Sequence, residues 1–182
     1  MSLTTLVDNS RTDKNTSHSY LPVYEKLFEP YRHTAKGVLE IGIAQGGSIK
    51  LWRDYFYKAI IYGIDIYTTE NMPSDLLSLP DVCCFTSTDA YSPEFINQIP
   101  HPLDIVIDDG PHTLVSQQQA ILQYLPKLKS NGLLVIEDIQ DYNHIDILHK
   151  TIPYTIPCTV EIHDLRQQKN RPDDILFIIK KL

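Results

Sequence analysis

Two short acidic runs carry the clearest chemistry in this chain: Ile107-Asp108-Asp109-Gly110-Pro111-His112 and Ile136-Glu137-Asp138. Together they bring four carboxylates and one imidazole. Carboxylate oxygens are hard donors and suit a hard divalent cation such as Mg²⁺, which keeps several waters and shares its sphere with substrate. An imidazole beside such an ion is a candidate general base, because its ordinary pKa lies near neutrality. Asp109 and His112 are separated by a short turn, so both can face one pocket. Asp108 and Asp109 are neighbours in an extended segment, so their side chains should diverge. Asp108 is therefore expected beside a cofactor or behind the ligands.

Each acidic run closes an apolar stretch of strand type, Leu103 to Ile107 and Leu133 to Ile136. Open α/β sheets bind their ligands at such strand ends. Further apolar strands are expected at Gly37 to Gly42, Ala59 to Ile64 and Val82 to Phe85. Helices are expected at Pro22 to Tyr31, from Gly46-Gly47-Ser48 onward, from Ser92-Pro93, at Leu114 to Leu128 and at Asp141 to Lys150. Ser92 is a good cap with proline in the first turn. The long helix should bury Leu114, Ile121, Leu125 and Leu128, and Asn131-Gly132 should turn into the following strand. Thr159 to Leu165 and Ile175 to Lys180 flank the polar turn Gln167 to Pro172 and read as an antiparallel hairpin. Alternating strands and helices imply a mainly parallel sheet covered on both faces. The expected fold is α/β and Rossmann-like, one domain over residues 1–182, with residues 1–20 as a polar arm.

Glu40-Ile41-Gly42-Ile43-Ala44-Gln45-Gly46-Gly47-Ser48 is a strand–glycine loop–helix junction. Glycine allows close backbone approach and positive φ. The helix start offers free N–H groups. Gly42, Gly46 and Ser48 are therefore candidates for holding a nucleoside-containing cofactor. Asp65, at the end of the next strand, can accept hydrogen bonds from ribose hydroxyls. Asp89, after the third strand, could meet an adenine amino group. Glu40 stands just before the first glycine. Facing the ligand, it would repel a pyrophosphate and attract an amino group or sulfonium, which favours S-adenosylmethionine (SAM) over NAD.

The 182 residues suit a single core, and 42% hydrophobic with 21% charged content is ordinary for a globular protein. A net charge of -7 supplies no broad basic field for nucleic acid. No apolar run reaches the roughly eighteen residues of a membrane span. The N-terminus lacks a signal-peptide core, so a cytoplasmic setting is expected. Cys83, Cys84 and Cys158 show no metal spacing and read as reduced and structural. Trp52 and Phe56 read as core. His18, His144, His149 and His163 read as surface or internally satisfied residues.

The chain resembles class I SAM-dependent methyltransferases, and within them the macrocin and mycinamicin sugar O-methyltransferase family. The matching residues cover nearly its whole length. They are Thr12-Asp13-Lys14 with His18 and Tyr20, Val38-Leu39-Glu40-Ile41-Gly42 with Gly46-Gly47-Ser48, and Trp52-Arg53-Asp54-Tyr55-Phe56. Tyr62-Gly63-Ile64-Asp65, Asp108-Asp109-Gly110 with His112, and Glu137-Asp138 complete the set. Pro111 departs from the small polar residue common at that turn. The resemblance implies Asp109, Glu137 and Asp138 as Mg²⁺ ligands, His112 as catalytic base and Asp65 as ribose partner. It implies a sugar or glycosylated small molecule as methyl acceptor. A homo-oligomer would fit a small domain whose acceptor site needs shielding. Two alternatives stay open: an NAD-linked oxidoreductase on the same scaffold, and a catalytically silent SAM-binding module. Lys14 and Tyr20 fit two roles equally, closing over the site or simply packing the arm on the sheet. Tyr142 and Asn143, just after the acids, are candidates for the acceptor pocket.

Overall fold

The computed structural model describes residues 1–68, 72–99 and 102–182. Seven strands form one sheet: β1 (Gly37–Ile41), β2 (Ile60–Ile64), β3 (Val82–Phe85), β4 (Leu103–Asp108), β5 (Leu128–Ile136), β6 (Cys158–Asp164) and β7 (Ile175–Lys181). Their order is β3-β2-β1-β4-β5-β7-β6. The first five are parallel, whereas β7 runs antiparallel to β5 and β6 antiparallel to β7. This is the expected α/β architecture with its C-terminal hairpin. The helices are α1 (Leu3–Leu6), α2 (Leu21–Phe28), α3 (Gly47–Tyr55), α4 (Ser74–Leu77), α5 (Pro93–Ile96), α6 (Leu114–Tyr124), α7 (His144–Thr151) and α8 (Arg166–Lys169). None of the described helices is long and apolar enough to cross a membrane.

Every residue of β1 and β4 is buried, as central parallel strands covered on both faces must be. The period-two alternation of strands divides their side chains between two cores. Val38, Ile61, Ile105, Ile107 and Val135 pack with Tyr24, Phe28, Trp52 and Phe56 on one face. Leu39, Ile41, Ile64, Val106, Leu134 and Ile136 pack with Ile121, Tyr124 and Leu148 on the other. The same alternation puts Glu40 on the Val38 face, under the arm and α2.

Helix ends differ from expectation where proline intervenes. The α-helix from Leu21 stops at Phe28 and tightens into a 3₁₀ turn, Glu29–Tyr31, around Pro30. Likewise α6 ends at Tyr124, and Pro126 sits in a 3₁₀ turn over Leu125–Lys127. Proline has no N–H and clashes with the carbonyl four residues back, so the α-pattern cannot continue. Leu128 consequently opens β5 rather than closing the helix, and Asn131 bends that strand at φ 63°. The inner face of α6 also includes Ser116 and Gln117, while Leu114 is only partly buried. Ser116 forms a capping box with Thr113, and Gln117 Nε2 donates to the carbonyl of Glu137 at 3.2 Å. Helix α7 starts at His144, because Asp141 forms a turn by accepting the Asn143 amide at 2.9 Å. The three cysteines are free thiols.

Candidate active site

Strand β1 has β2 on one side and β4 on the other, so the chain order reverses there. Open α/β sheets place ligands in the crevice above such a reversal. Ile41 is level with Ile64 and with Asp108, and Asp108 with Ile136. The ladder continues past the strand ends: Asp109 N donates to Ile41 O at 2.9 Å and Glu137 N to Asp108 O at 3.0 Å. Gly42 has φ 80°, and a Cβ there would lie 1.9 Å from the Asp109 carbonyl oxygen. Only glycine lets the acidic turn lie directly against the first loop. A cavity of about 750 Å³ opens above this seam. Its walls are residues 9–13 and Thr16 of the arm, residues 41–45 with Ser48, residues 64–67, residues 88–91, residues 109–112, and Asp138.

On the β2 side, the Asp65 carboxylate holds the loop. Its Oδ2 accepts the amides of Ile43 and Ala44, both at 2.9 Å, and its Oδ1 accepts Tyr67 N at 2.9 Å. Asp89 is exposed on the wall and accepts Tyr91 N at 2.9 Å. Gly46 caps α3 in the left-handed region at φ 76°. Gly47 meets the arm: a Cβ there would be 2.5 Å from Arg11 O. The arm backbone is therefore seated on the start of α3.

On the β4–β5 side, His112 and Asp138 both adopt left-handed backbone, each at φ 55°. His112 Nε2 lies 3.8 Å from Asp109 Oδ1 and 3.6 Å from Asp138 Oδ2. His112 Nδ1 is buried without a hydrogen-bond partner. Behind this rim sits Lys14, only 1% exposed. Its Nζ donates to Asp109 Oδ2 and to both Glu137 oxygens, each at 2.7 Å, and lies 3.3 Å from Glu40 Oε1. The hydroxyls of Tyr24 and Tyr20 donate to Glu137 Oε1 and Asp138 Oδ1. His18 stacks on Tyr20, with Nδ1 3.2 Å from Asp174 Oδ1 and 3.3 Å from Asp138 Oδ1.

The electrostatics follow from burial. Burial pushes Glu137 well above the ordinary carboxylate range; the Asp109 charge adds to this and Lys14 opposes it. Burial lifts Asp138 in the same direction, opposed by the Tyr20 hydroxyl. It takes Glu40 up to about 7 against the pull of Lys14. Burial alone would lower Lys14, but the charges of Asp109, Glu137 and Glu40 hold its ammonium well above the usual lysine range. An ammonium thus stands among acids that would otherwise repel one another in a dry interior. The Glu40 carboxylate has the Lys14 ammonium, 3.3 Å from its Oε1, as counter-charge. The oxygen-rich donor set of Asp109, Glu137 and Asp138 fits a hard cation, which would compete with the Lys14 ammonium for the same oxygens.

Of the residues singled out in the sequence, Gly42, Ser48, Asp65, Asp89, Asp109, His112 and Asp138 line the cavity. Glu40, Gly46, Asp108 and Glu137 are not among its lining residues. Glu40 was expected to face a cofactor; strand alternation turns it inward to Lys14 instead. Discrimination against a pyrophosphate therefore cannot rest on direct contact with it. Asp108 does diverge from Asp109, and its Oδ1 accepts the Tyr91 hydroxyl at 2.7 Å. The set Asp109, Glu137 and Asp138 is divided. Potential ligand atoms of Asp109, His112 and Asp138 lie within 4.8 Å of one another, as do those of Glu40, Asp109 and Glu137. Glu137 continues the line of β5 inward, whereas the left-handed Asp138 swings outward. Tyr142 and Asn143 are exposed and absent from the cavity wall. Tyr142 carries Arg166 over its ring at 5.2 Å.

Sequence reading missed Tyr24, Tyr91 and Asp174. Tyr24 follows Tyr20 by one helical turn, a spacing that puts both hydroxyls on one face; that signal was available. Asp174, fully buried, accepts Ser19 N at 3.2 Å, and nothing local in its sequence marks it.

Residues 24–147 match the model of the FtsJ-like methyltransferase family. The chain is 35% identical to the 8-demethyl-8-alpha-L-rhamnosyl tetracenomycin-C 2'-O-methyltransferase of Streptomyces olivaceus, over 71% of this chain and 35% of that protein. It is 33% identical to the mycinamicin VI 2''-O-methyltransferase of Micromonospora griseorubida, over 67% of this chain and 32% of that protein. The chain thus spans about a third of the length of the curated relatives it matches. Among solved structures, the MycE methyltransferase in complex with Mg, SAH and mycinamycin VI superposes with a TM-score of 0.76 at 25% identity, covering 100% of this chain and 53% of that one.

Proposed function

Given that the chain belongs to the FtsJ-like methyltransferase family, we propose that it moves a methyl group from SAM to a hydroxyl of a sugar or glycosylated small molecule, with Mg²⁺ at the acid cluster. One observation carries the reading: Asp109, His112 and Asp138 share a single cavity with the Gly42 loop and Asp65. The sugar-directed names of the relatives support the acceptor class, and the Mg and SAH of the structural neighbour support the cofactors.

The Gly42 loop, Ser48 and the first turn of α3 offer backbone and hydroxyl groups to the nucleoside. Asp65 accepts three loop amides and keeps one acceptor site, on Oδ1, for a ribose hydroxyl, and Asp89 lines the cavity for the adenine amino group. Asp109, Glu137 and Asp138 would hold the ion, which would supply a positive charge beside the acceptor hydroxyl, and SAM would supply an electrophilic methyl carbon. His112 accepts the hydroxyl proton at Nε2, where Asp109 and Asp138 balance the imidazolium charge. The acceptor oxygen bonds to the methyl carbon as the sulfur–carbon bond breaks. Rate enhancement comes mostly from alignment and from fixed charges around the reacting oxygen.

Calorimetric titration with SAM and with NAD tests the nucleoside side: SAM should bind and NAD should not. Methyl transfer to a glycosylated acceptor should vanish in EDTA and in Asp109→Ala. Full turnover by metal-stripped protein would remove the ion from the mechanism.

A further inference from the structure

We propose that Lys14 is the resident cation of the acid cluster, and that a divalent ion enters only by displacing its ammonium. This rests on the metal-dependent reading above and concerns how the same site is loaded. The Lys14 Nζ lies between Asp109 Oδ2 and both oxygens of Glu137, at 2.7 Å from each. These are the groups an ion bridging β4 and β5 needs. Asp109 is the only residue common to the two potential ligand groups among the described residues, so one of its oxygens is already committed. Two cations sharing that carboxylate would repel each other strongly where water is scarce. The side chain that must leave is on the arm, not on the sheet. Its neighbours Arg11, Thr12, Asp13 and Thr16 line the cavity.

The cluster is built to survive the exchange. Tyr24 and Tyr20 donate to Glu137 and Asp138 independently of Lys14. The buried Glu40 adds a third carboxylate, its Oε1 3.3 Å from the ammonium. Without any cation, Glu40, Asp109 and Glu137 would repel one another. Lys14 thus holds the ion-free site together and sets the threshold for ion binding. An occupant that fills the site most of the time weakens apparent affinity by the fraction of molecules left open.

The test is the accessibility of Lys14 itself. Wild-type protein is treated with an amine-acylating reagent in EDTA and in saturating MgCl₂, and peptides are weighed by mass spectrometry. Lys50, whose side chain is 52% exposed, is the internal reference. Lys14 should be protected in EDTA, and Mg²⁺ should raise its labelling about tenfold or more, as expected for release from a mostly closed state. Lys50 should not change. Lys14 that stays protected while calorimetry shows Mg²⁺ bound would overturn the proposal. In parallel, Lys14→Met should bind Mg²⁺ about tenfold more tightly or better. Unchanged or weaker binding by the folded variant would also overturn it. If that variant does not fold, wild-type labelling decides alone. If neither protein binds Mg²⁺ by calorimetry, the metal reading has failed and this proposal falls with it.

Discussion

Above β1 to β3 the crevice is shaped by backbone; above β4 and β5 it is shaped by charge. On the first side, left-handed turns at Gly42, Ala44 and Gly46 form the loop, and the Asp65 carboxylate ties it down through main-chain amides. On the second side, backbone contributes little beyond aiming. Carboxylates from three strands meet one ammonium, two phenols and two imidazoles. The contrast teaches where each half is fragile. The nucleoside side should be most sensitive to an added carbon at its seam. The acid side should tolerate changes of shape but not the loss of a charge.

The largest expected effect lies at the seam. Gly42→Ala puts a methyl against the Asp109 carbonyl and strains a positive φ, which should cost about 4 kcal/mol or more. Thermal or urea unfolding would measure it; a near-neutral result would mean the two loops are not in contact. Next is His112→Gln, which should lower kcat by about 10²- to 10⁴-fold while leaving SAM affinity unchanged. A matching loss of SAM affinity would blur the division into halves. Asp65→Asn is its counterpart. It should weaken SAM binding by roughly tenfold or more through loss of a charged acceptor, with Mg²⁺ affinity unaltered. Calorimetry with each ligand separates the two outcomes.

The effect that depends on pH concerns Asp108, at the end of β4. Burial pushes its carboxyl up to about 7 from an ordinary 3.8. The folded protein therefore holds a proton on this group that the unfolded chain has released. Its contribution to stability is fully present at low pH and declines as pH rises from about 4 to about 7. Asp108→Asn removes that decline. In metal-free protein, stability should shift in favour of the variant across that window and stay level above it. A difference independent of pH would place Asp108 in contact with water.

Much of the fold was legible because it depends on local pattern. Apolar runs ending in glycine or acid marked β1, β2 and β4, and the polar turn Gln167 to Pro172 marked the hairpin. Pro30 and Pro126 ended helices earlier than periodicity suggested, since periodicity does not register a missing donor. The cavity-facing acids were legible as well, because strand ends of a parallel sheet share one edge. The direction of Glu40 and Glu137 was not. Strand alternation sets which face they take, but which face the arm covers, and so what they meet there, is decided by a distant part of the chain. Lys14 reaches Glu137 across most of the chain, and Asp174 meets His18 by a still more distant contact. Such pairings leave no local trace.

The most direct test is a crystal grown with S-adenosylhomocysteine and Mn²⁺, examined by anomalous diffraction. The account predicts one manganese peak coordinated by Asp109, Glu137 and Asp138, with the nucleoside lying over the Gly42 loop and its ribose at Asp65. A manganese bound away from those carboxylates, or a nucleoside outside that cavity, would contradict it.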